Sequence, residues 1–228
     1  MKPYYQDDSV TIYHGDCREI LPDLTFDVVI TDPPYGINVV SKTGAIGTTK
    51  PNKAWSHETG PKKWSSPRMN VYRPVVGDDE PLDPRWLTAY GRRQVIFGAD
   101  HFTEWPGPGR LLVWDKRDGL PSIKFADCEI AWDSDKGASR LIRHLSNGFM
   151  GDFGDIKKCH PTQKPLRVMT WIIDQCTEQT DTVCDPFMGS GTTLRAAKDL
   201  GRKAVGIELD ESYCEIAVNR LAQGVLNL

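Results

Sequence analysis

Long apolar runs are missing from this chain of 228 residues; none approaches the ~18 that a membrane-spanning helix needs, so no membrane partner is expected. Cysteine is sparse and scattered. The six are Cys17, Cys128, Cys159, Cys176, Cys184 and Cys214, and none forms a C-x2-C pair, which argues against a zinc knuckle or a dithiol redox pair. Cys159 beside His160 is poor spacing for two ligands of one tetrahedral ion, so no metal is expected. All six read as reduced thiols, mostly filling core. The opening MKPYYQDDSV has no apolar stretch of the export-signal kind, and the expected location is the cytoplasm of a bacterial or phage-infected cell. Internal repeats are absent, as is any second hydrophobic core, so residues 1–228 are expected to form one domain.

Net positive charge is lacking as well: the chain carries −3 overall. That figure hides an asymmetry. Residues 37–74 hold Lys42, Lys50, Lys53, Lys62, Lys63, Arg68 and Arg73 against Glu58 alone, a net of +6, while the rest carries −9. A basic segment on an acidic body can serve as a phosphate-binding arm, or it can be a solvated loop. The stretch 37–82 shows neither helical nor strand periodicity and is rich in Gly, Pro, Ser, Thr and Lys, so it is expected to be a mobile insertion.

Seven β-rich segments stand out by pattern: 10–14, 27–31, 94–98, 111–114, 125–132, 182–186 and 203–208. Helical segments are expected at 84–92 after Asp83-Pro84, at 165–178 opening on a proline, at 192–200 before Gly201, and at 211–222 after Asp210. Such alternation predicts an α/β fold with a seven-stranded, mostly parallel sheet and helices on both faces. In open α/β sheets ligands bind beyond the carboxyl ends of the strands. Asp16, Asp32, Asp185 and Glu208 occupy those ends here. If they converge, they line a pocket for a cationic, hydroxyl-rich ligand.

Two motifs carry the chemistry. Val183-Cys-Asp-Pro-Phe-Met-Gly-Ser-Gly-Thr-Thr is a strand, a glycine turn and a helix start, where Gly189 and Gly191 allow close backbone approach and the helix N-terminus favours a carboxylate. Glu208, 19 residues after Gly189, stands where an acid holds ribose hydroxyls in nucleotide folds. The second motif is Asp32-Pro33-Pro34-Tyr35. Prolines lack an N–H, so the loop offers acceptors: the Asp32 carboxylate and the Pro33 carbonyl. Accepting from both hydrogens of an exocyclic amine favours a pyramidal nitrogen whose lone pair can attack an electrophile. Tyr35 supplies a flat face for a base turned out of its helix. The competing reading is a rigid turn after a buried strand.

The second motif resembles the D-P-P-Y signature of the DNA amino-methyltransferases that act on adenine N6 or cytosine N4. Asp185-Pro-Phe-Met-Gly-Ser-Gly is similar to that family's cofactor motif, and His160-Pro-Thr-Gln-Lys-Pro165 and Gly15-Asp16-Cys17 are similar to two further segments. The catalytic loop precedes the cofactor loop, as in the family's permuted β-group. The resemblance implies a Rossmann-like fold with strand order 3-2-1-4-5-7-6 counted from the cofactor strand, the 125–132 strand antiparallel. It implies S-adenosylmethionine as cofactor and DNA as partner, and leaves a homodimer open. By the same resemblance Asp185, Phe187, Gly189, Gly191 and Thr192 surround the methionine part of the cofactor. Glu208 holds the ribose and Asp16 the adenine amine. Thr162 and Lys164 lie near the methionine carboxylate, with a surface role for Lys164 as the alternative. Asp32, Pro33, Pro34 and Tyr35 form the catalytic pocket, Asp32 also facing the cofactor.

Lys53, Lys62, Lys63 and Arg68 in the insertion, with Arg140 and Arg143 in a short target-recognition region at 133–159, are the expected DNA contacts. No Pro-Cys dipeptide occurs, which excludes the thiolate chemistry of cytosine-C5 methylation. By the same resemblance, Asp at position 32, where relatives acting on cytosine more often have Ser, favours the N6 reaction over cytosine N4, as does the larger stacking surface of adenine. RNA or protein-amide methylation, and a regulator that binds cofactor without catalysis, are the remaining alternatives.

Overall fold

The computed structural model of the chain describes residues 1–40, 74–81, 83–122, 126–146 and 162–222. Its elements run β1 (Tyr5–Gln6), β2 (Val10–His14), α1 (Cys17–Ile20), β3 (Val28–Thr31), β4 (Arg93–Phe97), β5 (Arg110–Asp115), β6 (Cys128–Asp133), β7 (Arg140–Arg143), α2 (Leu166–Cys176), β8 (Thr182–Asp185), α3 (Thr192–Asp199), β9 (Lys203–Glu208) and α4 (Glu211–Ala222). One sheet takes all nine strands in the order β1-β2-β9-β8-β3-β4-β6-β5-β7. From β2 to β4 the neighbours are parallel, and β6 runs antiparallel to both β4 and β5.

This is the expected order with one strand added at each edge, so the sheet has nine strands rather than seven. β1 is two residues long, too short to show a period. β7, Arg-Leu-Ile-Arg, is a largely exposed edge strand without the buried face that makes alternation visible. The expected helix at 84–92 is a 3-10 helix, Pro84–Ala89, capped by the Asp83 carboxylate. Its buried residues, Pro84 and Leu87, lie three apart, one turn of a 3-10 helix.

Successive residues of the strands feed two apolar layers, one on each face of the same sheet. Val95 and Phe97 of β4 and Val183 of β8 face the first, together with Val168, Met169, Ile172 and Ile173 of α2 and Leu194 of α3. Ile96 and Cys184 face the second, with Ile20 and Leu21 and with Leu87 of the 3-10 segment. Each such side chain contributes about 1.5–3 kcal/mol on burial. Among the described residues no helix is long and apolar enough to cross a membrane.

The consequence for function is positional. β2, β9, β8 and β3 are consecutive parallel neighbours, so Asp16, Glu208, Asp185 and Asp32 fall in a row along one end of the sheet.

Candidate active site

Strand β8 ends at Asp185, which is almost wholly buried. Its Oδ1 accepts from the Thr31 hydroxyl at 2.7 Å and from the Phe187 N–H at 3.1 Å, and its Oδ2 accepts from the Thr193 hydroxyl at 2.5 Å. Burial pushes this carboxyl up to about 6, against the three hydrogen bonds. The chain then turns through Gly189 and Gly191, both at positive φ. Gly191 caps α3 without a side-chain bond, and a Cβ there would lie 2.8 Å from that of Ala217. Only glycine fits; no side chain caps the first turn of α3, and its residues Thr192 and Thr193 line the neighbouring cleft. The Thr192 hydroxyl is turned inward, accepting from Arg220 Nη1 at 2.6 Å.

An open cleft of about 370 Å³ lies over this turn. It gathers Asp32, Thr162, Lys164, Asp185, Phe187, Gly189 and Thr192 from the sequence-based set, and adds Gln163, Met169, Met188, Ser190 and Thr193. Asp16, Gly191 and Glu208 do not line it. Glu208 instead braces the turn: its carboxylate accepts from the Gly189 N–H at 2.9 Å and the Asp210 N–H at 2.8 Å. Burial raises its pKa, with those N–H groups opposing. Asp16 is exposed and caps α1 by accepting from the Arg18 N–H at 2.8 Å. Phe187 meets Trp86 edge-on at 6.3 Å between ring centroids.

Asp32 follows β3 beside this cleft. Its Oδ2 accepts from Lys164 Nζ at 2.5 Å, and its Oδ1 accepts a short bond from the Tyr35 hydroxyl. Lys164 is no surface cation: it is buried, 4.8 Å above the Phe97 ring, with Nζ also 3.0 Å from Glu129 Oε2. Glu129 lies on β6, and its other oxygen accepts from Lys116 Nζ at 2.7 Å. Burial alone would raise Glu129, but Lys164 and Lys116 hold it down at about 2. For Asp32 burial prevails and the pKa is raised; Lys164 opposes and Glu129 adds to the rise. Tyr35 is pushed well above its ordinary value by burial, then by Asp32 and Glu129. Its ring stacks on His101 at 5.1 Å and lies so close against Gly98 that a Cβ there would collide with it.

The backbone after Tyr35 is held by a residue that composition and motif reading missed. Asp78, buried, accepts at Oδ1 from the N–H groups of Tyr35, Gly36 and Ile37 at 3.0–3.2 Å and at Oδ2 from Val39 at 2.6 Å. Its carbonyl accepts from Asn38 at 2.8 Å. Consecutive N–H groups form a concave anion site, filled here by the chain's own carboxylate. Asp79 and Glu80 beside it are equally acidic, so no sequence signal marks Asp78 out. Glu129 escaped for a similar reason, as one acid inside a strand.

Of the expected DNA contacts, Lys53, Lys62, Lys63 and Arg68 lie outside the described residues, as do most of the insertion and residues 147–159. Arg140 and Arg143 sit on the edge strand β7, both exposed, and Arg143 Nε is 3.4 Å from Asp115. Part of the expected recognition region therefore belongs to the sheet. Cys17, Cys176 and Cys214 are buried, their thiols pushed up to about 12 chiefly by burial, which makes them inert.

A glycine turn and an acid row at the strand ends, next to a proline-rigid acceptor loop, define a nucleotide-binding α/β fold whose site presents acceptors beside the ligand cleft. The sequence profile of the N6/N4 DNA methylase family matches residues 48–219, and the chain belongs to that family. Curated relatives include the type II methyltransferases M2.LlaDCHI of Lactococcus lactis subsp. cremoris, 26% identical over 98% of this chain and 93% of the relative, and M2.DpnII of Streptococcus pneumoniae, 28% identical over 96% and 92%. Among solved structures, the M1.HpyAVI–SAM complex superposes with a TM-score of 0.56 at 24% identity, covering 93% of this chain and 99% of that one. The cytosine-N4-specific PvuII DNA methyltransferase gives 0.58 at 17%, covering 99% and 91%. At those identities the likeness is one of fold. The protein is a DNA N-methyltransferase of an S-adenosylmethionine-dependent family, with an exocyclic base amine as its target.

Proposed function

We propose that the enzyme methylates N6 of adenine in DNA, with the target base turned out into the pocket formed by Asp32, Pro33, Pro34 and Tyr35. The observation that carries this reading is the acceptor loop set against the cofactor cleft, with Asp32 lining that cleft. The residues fit the cofactor on their own chemistry. The turn at 189–191 leaves helix N–H groups for a carboxylate, and the acids Asp185 and Glu208 are held by neutral hydroxyl and N–H donors. Such acids suit a ligand that brings its own positive charge and hydroxyls. Asp185, Phe187, Gly189, Gly191 and Thr192 would hold the methionine portion, Glu208 the ribose, Asp16 the adenine amine and Thr162 the carboxylate.

S-adenosylmethionine supplies an electrophilic methyl group on a sulfonium. The protein's part is to prepare the amine. Asp32 and the Pro33 carbonyl accept its two hydrogens, and the lone pair is freed from the ring toward the cleft. The methylated nitrogen carries a positive charge and must shed a proton. Asp32 is already in contact, and a carboxylate with a raised pKa is the better acceptor. Tyr35, stacked on His101 and packed against Gly98, is the aromatic wall assigned to the base in this reading. Lys53, Lys62, Lys63, Arg68, Arg140 and Arg143 would contact phosphates and bases.

Adenine is chosen over cytosine because Asp occupies position 32 and because adenine has more surface to stack on Tyr35. Mass spectrometry of nucleosides from DNA treated with the enzyme tests the choice. N6-methyladenine is expected; N4-methylcytosine as the sole product would overturn the base assignment and leave the amine chemistry standing.

A further inference from the structure

Lys164, just ahead of α2, and Glu129, on β6, are both far from Asp32 along the chain, yet the fold closes them into one chain of charge: Asp32, Lys164, Glu129, Lys116. We propose that Glu129 is a positioning residue for methyl transfer: it anchors Lys164 Nζ between two carboxylates, and so sets how strongly the lysine holds the Asp32 carboxylate as an anion facing the target amine.

The geometry supports a shared cation. Lys164 Nζ is 2.5 Å from Asp32 Oδ2 and 3.0 Å from Glu129 Oε2, and only 7% of its side chain is exposed. The ammonium donates to Asp32 and comes 3.4 Å from the Tyr35 hydroxyl, while its approach to Glu129 Oε2 is an ion-pair contact and not a hydrogen bond. Lys116 binds Glu129 from the other side, so two anions and two cations alternate and the cluster is neutral when Asp32 is ionised. A buried charge left without a partner is far more costly than the pair, so removing one member redistributes the others. Without Lys164, the half-buried Asp32 would sit near Glu129 with only Tyr35 donating to it. Without the Glu129 charge, Lys164 would belong to Asp32 alone and would hold it too firmly as an anion to take up a proton.

The charged and titratable groups facing Asp32 come from several elements: Lys164 ahead of α2, Glu129 on β6 with Lys116 behind it, Tyr35 from the same loop, and Asp185 at the end of β8. Asp100, beside His101, acts on Tyr35. The directions follow from Coulomb's law. Lys164→Gln should move the Asp32 midpoint up, because an opposing cation is lost and Glu129 remains. Glu129→Gln should move it down, because a neighbouring anion is lost and the cation remains. Opposite shifts from two partners of one ion pair are what a shared cation produces, and a merely structural contact would produce neither.

The experiment titrates the Asp32 carboxyl by carbon-13 NMR in the cofactor-free protein and, separately, follows single-turnover methyl transfer against pH. The proposal rests on the acceptor role given to Asp32 above; the NMR arm does not need that role, so the two can fail separately. In Lys164→Gln the midpoint and the acid limb of the rate profile should both rise by at least about one pH unit, roughly a tenfold loss of rate on that limb. In Glu129→Gln both should fall by a similar amount. Lys116→Met is the second variant should either of these not fold. It leaves Lys164 drawn toward Glu129, and the Asp32 midpoint should rise by a smaller step. Unchanged midpoints in the folded variants, or shifts of the same sign in Lys164→Gln and Glu129→Gln, would overturn the proposal.

Discussion

Neighbouring strands in this enzyme hold their terminal acids differently. At the end of β3, Asp32 is tied to a buried lysine that a second carboxylate also claims. At the ends of β8 and β9, Asp185 and Glu208 are held by hydroxyls and backbone N–H groups. Both carboxyls there are raised by burial, Asp185 to about 6. The difference fits the proposed roles. A methyl donor brings its own positive charge, so acids assigned to it need no resident cation. A target amine is neutral, so on that proposal the counter-charge at Asp32 comes from Lys164, which opposes the effect of burial.

The contrast is most exposed at Asp32. Asp32→Ala should cut turnover by about 10³-fold or more, the scale of a lost general base, while the dissociation constant for S-adenosylmethionine stays within a few-fold. Rapid-quench turnover with calorimetry measures both. Turnover near wild type would remove Asp32 from the mechanism. Glu208→Ala should do the converse. It removes a charged acceptor whose loss to one hydroxyl costs about 1.5–3 kcal/mol, so cofactor affinity should fall by at least roughly 10- to 100-fold. An unchanged dissociation constant would show that Glu208 only braces Gly189.

Asp78→Asn probes the backbone that leads from the Asp32 loop toward the insertion. It sets an amide against N–H donors, so turnover should drop about tenfold with cofactor affinity intact, since the carboxylate's charge-assisted bonds are gone. Equal loss of both would mean a general structural role. Replacing Lys62, Lys63 and Arg68 with Ala should lower DNA affinity and flatten its salt dependence by a slope of about 0.9 for each phosphate no longer neutralised. A slope equal to wild type would make the basic insertion a solvated linker.

The smallest effect is on stability. Asp185 titrates at about 6 in the fold, above the ordinary carboxylate value near 3.8. The folded state therefore binds its proton more tightly, and this contribution is present below pH ~4 and lost as pH rises through about 6. Asp185→Asn should raise Tm by a few degrees at pH 7.5 and change it little at pH 4. A destabilised variant at pH 7.5 would show that the charge is better compensated than its neutral partners suggest.

Much of this arrangement is legible in the chain itself. Strand alternation, the glycine turn before α3 and Asp32-Pro33-Pro34-Tyr35 are local patterns, written in consecutive residues, and they mark out the acid row; the strand order follows only from the family that those motifs resemble. Lys53, Lys62, Lys63 and Arg68 lie outside the described residues, so their reading stands on sequence alone. The two edge strands escape because one is too short, and the other too exposed, to carry a period.

Which strand ends carry acids is settled by the order of residues, because backbone direction and a two-residue repeat place them. Which of those acids acquires a cation is settled only by folding. Lys164 reads the same on paper whether it is solvated or wedged between Asp32 and Glu129, and Asp78 reads like Asp79 beside it. The physical reason is that charge interactions and N–H cradles depend on distance and burial through space. Chain separation says nothing about either.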